Sequence, residues 1–369
     1  MSRGLLGKTR VLVSGAGGVG GVNFVRAIRW GAKQWDDDLF IVGTDYNEHY
    51  LLFPDVDVRY KSPPHRDPSF IPFLLDICEK HGVEFVHPHP SVEARVVSEN
   101  RDVFTSRNIK LYLPRAECIF VDKLHIAKKL SSQGVPVPRT IHIKELDDVY
   151  EAFRVLGAPL WIRVRQGAGA KLALKVSSPE EAIHWIKLNV MQGRARVEDF
   201  IIQEYLPGRD LAVDCLMYKG RVVTCYARQR LAYPFKHVSL SGITGTPTIA
   251  RIVFDDVVVE TGIRAIRALD PEPHGFYSVD LKEGEDGKVY VTEVDGKWHT
   301  TAPLWGYAMS RVFNEPEVNI AYLYLALGLG VDPPSLPPRI HTFRRECLLI
   351  RHIDCGALLK CGDEVWRIL

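Results

Sequence analysis

The stretch Val289-Tyr-Val-Thr-Glu-Val-Asp-Gly-Lys297 decides how the rest of this chain is interpreted. Apolar and polar residues alternate along it, which predicts a half-buried strand with Glu293 and Asp295 on one face. A second strand-like run upstream ends in Asp280, and the segment between the two runs has the composition of a hairpin turn. Pairing of the two runs predicts that the three carboxylates converge on one patch.

Three carboxylates on one patch suit a magnesium ion. Hard divalent cations take oxygen ligands, and Mg²⁺ is often held by one or two carboxylates together with substrate phosphates. The patch therefore predicts a nucleotide-bound Mg²⁺, with Mn²⁺ as an alternative ion. The competing interpretation is a solvated hairpin whose acids face water, because Asp and Glu are mostly exposed in proteins.

The composition is that of a globular protein with more than one domain. The chain has 369 residues, of which 46% are hydrophobic and 25% charged; this length suggests two or three domains. A net charge of +2 gives no sign of a nucleic-acid partner. No signal-like apolar core and no run of about 18 apolar residues is present, so we expect a cytoplasmic protein without a membrane partner.

The cysteines have the pattern of core residues. There are seven, and none forms a CxxC pair. We expect most of them to be small buried residues with reduced thiols, and we expect no zinc site.

A glycine-rich loop near the N-terminus suggests a second kind of site. A short strand over residues 9–14 is followed by Gly15-Ala-Gly-Gly-Val-Gly20 and a helical run, and a later strand ends in Asp45. This pattern matches the dinucleotide fingerprint, so an NAD(P)-dependent oxidoreductase is a serious alternative. The backbone N–H groups of such a loop, at a helix N-terminus, can bind any anion and do not by themselves select a dinucleotide. Gly17 and Gly18 are candidate substrate contacts.

Polar residues follow another strand in the same third of the chain. Repeated strand–helix units predict a parallel sheet, whose ligands lie at the carboxyl ends of the strands. His87, His89 and Glu93 occupy such an end and are candidate substrate contacts. A metal trio is the alternative, although the loop they share is interrupted by prolines and supplies no ligand geometry.

A family resemblance begins where Val121-Asp-Lys123 starts a helix that stops before Gly134-Val-Pro-Val-Pro138. This segment, and the order of elements up to about Leu304, resembles the ATP-grasp superfamily, in particular the carboxylate–amine ligases similar to carbamoyl-phosphate synthase. The resemblance implies an α/β and α+β fold, with a Rossmann-like parallel-sheet domain before a two-lobed ATP-grasp domain.

The expected domains follow from this resemblance and from a proline-rich linker over residues 331–338. We expect a Rossmann-like pre-ATP-grasp domain over residues 1–118. The ATP-grasp domain is expected over residues 119–330, with its small lobe at about 140–205. Residues 331–369 are expected to form a small C-terminal β extension.

The resemblance also implies nucleotide contacts. Lys123 and Arg163 stand where the family binds phosphates, and Lys171 adds charge to a short glycine-containing loop. An exposed strand face is the alternative for Arg163. The segment that resembles the family's hinge would contact adenine and ribose, and its candidate residues are Gln203, Glu204, Tyr205, Leu206 and Asp210.

Three arginines around the loop 234–247 are candidates for the chemistry. Arg228, Arg230 and Arg251 could hold the activated carboxylate and the transferring phosphoryl group, since the guanidinium fork matches both anions. Simple surface charge is the alternative for two of them. Lys297 stands where the family commonly has arginine, and Asp295 replaces its asparagine.

Together these observations predict an ATP-dependent, ADP-forming ligase that activates a carboxylate as an acyl phosphate for attack by an amine or a similar nucleophile. The expected cofactor is Mg²⁺ with ATP, and the expected partners are a small-molecule carboxylate and an amine. A homodimer is left open. The alternatives are the oxidoreductase, an ATP-grasp kinase and a non-catalytic nucleotide-binding protein.

Overall fold

A computed structural model describes residues 4–167, 169–352 and 356–368. These residues form one parallel sheet and two antiparallel sheets. The predicted α/β and α+β architecture, with the parallel sheet at the N-terminal end, is confirmed. In this part of the chain, no helix is both long and apolar enough to cross a bilayer.

The N-terminal sheet brings two loops to one edge. Its strands are β1 (Lys8–Ser14), β2 (Asp38–Asp45), β3 (Val58–Lys61) and β4 (Phe85–Pro88), and its helices are α1 (Val19–Trp35), α2 (Phe70–His81), α3 (Ser91–Glu99) and α4 (Arg101–Thr105). The strand order is β3-β2-β1-β4, with Ser14 beside Pro88. Because β1 and β4 are parallel neighbours, the glycine-rich loop and the loop that starts α3 lie side by side.

The region expected to form the small lobe contains a four-stranded sheet and two helices. Its elements are β5 (Thr140–His142), α6 (Asp148–Leu156), β6 (Leu160–Val164), β7 (Leu174–Val176), α7 (Pro179–Met191) and β8 (Phe200–Glu204), preceded by α5 (Lys123–Ser132). The side chain of Asp122 caps α5 by accepting hydrogen bonds from the N–H groups of Leu124 and His125. This cap fixes Lys123 in the first turn of α5, close to the carbonyl of Gly167.

The central sheet has eight antiparallel strands. These are β9 (Asp210–Tyr218), β10 (Arg221–Ala232), β11 (Ile249–Val253), β12 (Gly275–Glu283), β13 (Val289–Asp295), β14 (Leu348–His352), β15 (Gly356–Cys361) and β16 (Glu364–Arg367). The strand order is β13-β12-β9-β10-β11-β14-β15-β16. Helix α8 (Asp256–Leu269) packs its apolar face on β9, β12 and β13. The last three strands therefore extend the central sheet beyond β11.

Two further helices join the N-terminal sheet to the central one. Helices α9 (Ala302–Phe313) and α10 (Ile320–Gly328) pack against α1, and Asn319 donates a hydrogen bond to the carbonyl of Ala27 at 2.8 Å. Trp298 stacks on Phe276 of β12 with the ring centroids 3.5 Å apart and meets Phe24 of α1 edge-on. Residues of both sheets therefore contribute to one packed core.

The cysteine prediction is confirmed for four residues and is wrong for two. Cys78, Cys118, Cys215 and Cys225 are buried free thiols. Cys347 and Cys361 instead form a disulfide, because the pairing of β14 with β15 brings them together. Cys355 lies outside the described residues.

Candidate active site

The hairpin predicted from the sequence is formed by β12 and β13. Asp280 lies opposite Glu293, and Ser278 lies opposite Asp295. The register shifts between Asp280 and Leu281, which leaves Thr292 as the extra residue of a β-bulge. Because of this bulge, Val291 and Val294 both face the apolar core beneath α8, while Glu293 and Asp295 face the other way.

Glu293 is surrounded by cations. Its carboxylate lies 3.3 Å from Lys123 Nζ, 3.5 Å from Arg163 Nη2 and 3.2 Å from Lys297 Nζ. Burial acts to raise the pKa of Glu293, but these cations outweigh it and lower the pKa to about 2. The group is therefore an anion held among three cationic side chains that come from α5, β6 and the end of the hairpin.

Asp295 lies behind this cluster. One carboxylate oxygen accepts a hydrogen bond from the N–H of Phe120 at 2.7 Å, and the other lies 2.9 Å from Lys297 Nζ. Burial raises the pKa of Asp295 despite the neighbouring lysine. Convergence of all three acids is therefore wrong for this conformation: within the described ranges, no three His, Cys, Asp or Glu side chains are grouped closely enough to hold a metal.

Asp280 is paired with two groups. Arg230 and His299 contact the same carboxylate oxygen, the latter through Nε2 at 2.9 Å. Burial acts to raise the pKa of Asp280, but Arg230 and His299 hold it well below its usual range. The Nδ1 atom of His299 lies 2.7 Å from Asp214, so this imidazole bridges two acids.

Asp214 is a site residue that the sequence did not reveal. It is fully buried in β9, where it accepts a hydrogen bond from Ser278 and pairs with Arg228 Nε at 3.0 Å. Burial acts to raise its pKa, but His299 and Arg228 overcome this and hold the pKa below its usual range. No sequence motif marks this residue; the only signal is an acid within an otherwise apolar strand.

The three candidate arginines do not share one face. Arg228 and Arg230 both line a cavity between the lobes, and Arg228 Nη1 is buried without a hydrogen-bond partner in the described part of the chain. Arg251 pairs in register with Gln229 and donates to its Oε1 at 2.8 Å. Since neighbouring residues of a strand face opposite sides, Arg251 lies on the other face of the sheet, and its assignment to the chemistry is wrong for this conformation.

This cavity, of about 620 Å³, extends from the small lobe to the N-terminal sheet. The hinge at the end of β8 contributes one wall, and Trp161 of β6 lies beside it. The candidate nucleotide residues that line the cavity are Arg163, Gln203, Glu204, Tyr205, Leu206 and Asp210. Lys123 contacts Glu293, which lines the cavity. Lys171 is exposed in a turn and is not among the described residues that line the cavity.

The hinge acids already have partners. Glu204 pairs with Arg139 at 2.8 Å. Asp210 lies 3.3 Å from Arg230 and accepts a hydrogen bond from Tyr233 at 2.8 Å. Asp210, Arg230, Asp280 and His299 thus form one connected network along the cavity floor.

The far end of the cavity reaches the N-terminal sheet. Gly20, His89 and Ser91 line it, together with Trp298 and Thr300. We call this region the N-terminal end of the cavity, and the region around Glu293 and Asp280 the charged end.

The other candidate residues of the N-terminal sheet lie behind this end. The described residues that line the cavity do not include Gly17, Gly18, His87 or Glu93. Glu93 is hydrogen-bonded to Ser14 at 2.6 Å, and burial raises its pKa to about 7.

Residues of the protein itself occupy the binding groups of the glycine-rich loop. The carboxylate of Asp45 accepts hydrogen bonds from the N–H groups of Gly17 and Asn47. Tyr50 covers Gly17 so closely that a Cβ there would lie 2.7 Å from its own Cβ. The acid expected to bind a ribose is therefore occupied, and the glycine expected to face a pyrophosphate is covered.

The residues present fit a metal bound together with a nucleotide. Asp280 and Glu293 offer hard oxygen donors at paired positions across the hairpin, and Lys123, Arg163 and Lys297 offer positive charge beside them. Mg²⁺ commonly uses one or two carboxylates and completes its shell with phosphate oxygens and water. This arrangement is the nucleotide site that the resemblance to the ATP-grasp superfamily implied.

Comparison with known proteins agrees with this class. The ATP-grasp domain family matches residues 120–301. This segment of the chain therefore belongs to the ATP-grasp domain family, as the resemblance implied.

Relatives and solved structures add detail. The chain is 24% identical over 174 residues to a glutamate–LysW ligase, ArgX, of Sulfurisphaera tokodaii; the match covers 47% of this chain and 59% of that protein. It is 23% identical over 273 residues to the carbamoyl phosphate synthase large chain of Thermoanaerobacter pseudethanolicus, covering 67% and 23%. The biotin carboxylase domain of Hydrogenobacter thermophilus 2-oxoglutarate carboxylase, solved with MgADP and bicarbonate, superposes with a TM-score of 0.67 at 14% identity, covering 93% and 74%.

Proposed function

We propose that this chain is an ATP-dependent, ADP-forming ligase that activates a carboxylate as an acyl phosphate and transfers the acyl group to an amine. The observation that carries the proposal is the position of Glu293 within 3.5 Å of three cationic side chains between the two lobes. The match of residues 120–301 to the ATP-grasp domain family and the similarity to a glutamate ligase support it.

ATP binds with its base at the hinge and its phosphates at the charged end. Trp161 and Tyr205 offer apolar faces to adenine, and Glu204 or Asp210 accepts hydrogen bonds from the ribose. Lys123 and Arg163 neutralise the phosphates, with Lys171 available from the nearby turn. Phosphoryl transfer depends on positioning and charge stabilisation more than on a protein nucleophile, and this arrangement supplies both.

Asp280 and Glu293 would hold the metal. When bound, Mg²⁺ supplies positive charge to the β- and γ-phosphates; Mn²⁺ is the alternative ion. Lys297, which lies between Glu293 and Asp295, keeps the two acids in place.

Arg228 and Arg230 hold the substrate carboxylate. One carboxylate oxygen attacks the γ-phosphorus, the bond to the β–γ bridging oxygen breaks, and ADP leaves. The neutral amine then attacks the acyl carbon, inorganic phosphate leaves, and the amine nitrogen loses its proton. The Nη1 atom of Arg228 is buried and has no partner in the described part of the chain. A substrate carboxylate bound there would satisfy this donor and remove the cost of leaving it unpaired.

The oxidoreductase is a weaker candidate. A dinucleotide would have to displace Tyr50 from Gly17 and the carboxylate of Asp45 from the N–H of Gly17. A kinase would use the proposed ATP site but release the phosphorylated substrate without joining it to an amine. A nucleotide-binding regulator would use the same site without transferring the phosphoryl group.

An ADP-release assay over a matrix of carboxylic acids and amines tests the proposal. We expect ADP only when an acid and an amine are both present with Mg·ATP, and no ADP from the Glu293→Gln variant. ADP release with the acid alone would indicate a kinase. Thermal stabilisation by NAD(P) but not by Mg·ADP would contradict the proposal outright.

The setting of the reaction is also a proposal. We place the enzyme in the cytoplasm, acting on small molecules without nucleic acid or membrane partners. A homodimer is compatible with this function.

A further inference from the structure

We infer that the N-terminal end of the cavity is a subsite for an oxyanion, a carboxylate or a phosphate, that the acceptor amine carries. This inference depends on the proposed function only for the identity of the molecule that brings the anion. The subsite itself can be tested without any enzymatic activity.

The first turns of two helices border this end of the cavity, through Gly20 of α1 and Ser91 of α3. Helix α1 begins after Gly18 and α3 begins after Pro90, and neither has a side-chain cap. Within the described ranges, the N–H groups of Gly20, Gly21 and Ser91 have no hydrogen-bond acceptor. Free N–H groups at helix N-termini attract anions.

His89 supplies an independent reason to place a ligand here. Its side chain is only 9% exposed, lies against the cavity and receives or donates a hydrogen bond at Nδ1, 3.1 Å from His87 Nε2. Its Nε2 atom has no partner among the residues described. This nitrogen points at the first turn of α1, because a Cβ on Gly20 would lie 2.1 Å from it.

The direction of the hydrogen-bond chain makes His89 a donor. The hydroxyl of Tyr324 is buried, and its one described partner is His87 Nδ1 at 3.3 Å. A buried hydroxyl proton needs an acceptor, so Tyr324 donates to His87 Nδ1. In a neutral imidazole the other nitrogen then carries the proton, so His87 Nε2 donates to His89 Nδ1, and His89 Nε2–H faces the cavity.

Burial keeps both rings neutral. It lowers the pKa of His89 to about 3 and that of His87 well below its usual range. Phe24 stacks on His87 with the ring centroids 3.6 Å apart, which fixes the ring plane. The subsite therefore offers neutral donors of fixed orientation.

The surroundings favour an anion over an ammonium. The five residues that define this end carry no formal charge when His89 is neutral. The nearby acid Glu93 is turned away to Ser14. A site built from N–H donors stabilises an anionic substituent and disfavours a protonated amine, and the ligase reaction needs the amine unprotonated.

The experiment is an NMR titration of ¹⁵N-histidine-labelled protein with inorganic phosphate and, separately, acetate at constant ionic strength. We expect Nε2–H tautomers at His87 and His89, and a saturable shift at His89 with at least one anion. A response to acetate indicates a carboxylate, and a response to phosphate alone indicates a phosphate monoester. A shift confined to His299 places the anion at the charged end and overturns the inference, as does an Nδ1–H tautomer at His89.

Substitutions localise the response. Gly20→Ala places a methyl group on His89 Nε2 and should weaken anion binding at His89 by about tenfold. Val19→Ala is the matched control in the same turn, because its side chain is 55% exposed, and it should leave the titration unchanged. Stabilisation by Mg·ADP checks that each variant is folded.

A second variant covers a failure of Gly20→Ala to fold. Tyr324→Phe removes the hydroxyl that sets the tautomers and should weaken the response. Equal behaviour of this variant and the parent protein would overturn the hydrogen-bond argument. A clear His89 response without ADP release from any acid–amine pair would instead contradict the ligase and leave the subsite standing.

Discussion

The two ends of the cavity handle charge in opposite ways. At the charged end, Glu293 and Asp280 are ionised and each is paired with cationic groups of the protein. At the N-terminal end, His89 is neutral and the donors are imidazole and backbone N–H groups. The first end is suited to a ligand that brings both a metal and several negative charges, and the second to a single anionic group.

This difference also indicates how each end responds to its ligand. At the charged end the acids now neutralise cations that would otherwise repel one another. Binding of Mg·ATP would exchange partners: acids would pass to the metal and cations to the phosphates. The N-terminal end has no such pairs to exchange, so its ligand would enter without disturbing ion pairs.

The largest expected effect comes from breaking the charged end. Glu293→Gln should lower ligase turnover on the order of a thousandfold, because it removes a charge that orders both the metal and three cations. The measurement is steady-state ADP release. Glu285→Gln, an exposed acid of the hairpin turn, is the control and should behave like the parent. Comparable rates for the two variants would contradict the assignment.

Stability should also depend on pairing at this end. Arg228→Leu removes the arginine that pairs with the buried carboxylate of Asp214, and should cost about 3–5 kcal/mol of unfolding free energy. Urea unfolding measures this loss. Arg251→Leu removes an arginine from the opposite, more exposed face and should cost less than about 1 kcal/mol. Similar losses would mean that the two faces are not distinguished as described.

A smaller effect, tied to pH, is expected behind the N-terminal end. Burial raises the pKa of Glu93 from its usual 4.5 to about 7, so the folded protein binds this proton more tightly than the unfolded chain. The parent should therefore lose about 3 kcal/mol of stability relative to Glu93→Gln as pH rises from about 4.5 to 7. Denaturant unfolding at several pH values measures the difference. Parallel pH profiles would contradict a buried, proton-binding Glu93.

The sequence predicted the hairpin because alternation and turn chemistry are local signals. It also placed Lys123, Arg163 and Glu293 in one cluster through the family resemblance. It could not predict the bulge at Thr292, which depends on pairing with β12. It also could not predict that the N–H of Phe120 donates a hydrogen bond to Asp295, which lies behind the cluster.

Three other features also depend on how distant strands pair, which the local sequence does not reveal. The face of Arg251 depends on the register between β10 and β11, and one residue of shift would reverse it. Asp214 becomes a site residue only because β9 lies between β10 and β12. The disulfide needed the pairing of β14 with β15, which likewise has no local signature.

The most direct test of the central claim is a crystal structure of the protein with Mg²⁺ and a non-hydrolysable ATP analogue. We predict the triphosphate between Lys123 and Arg163 on one side and the metal on Asp280 and Glu293 on the other. A triphosphate bound over the glycine-rich loop at residues 15–20, with Glu293 still paired to its three cations, would contradict this claim.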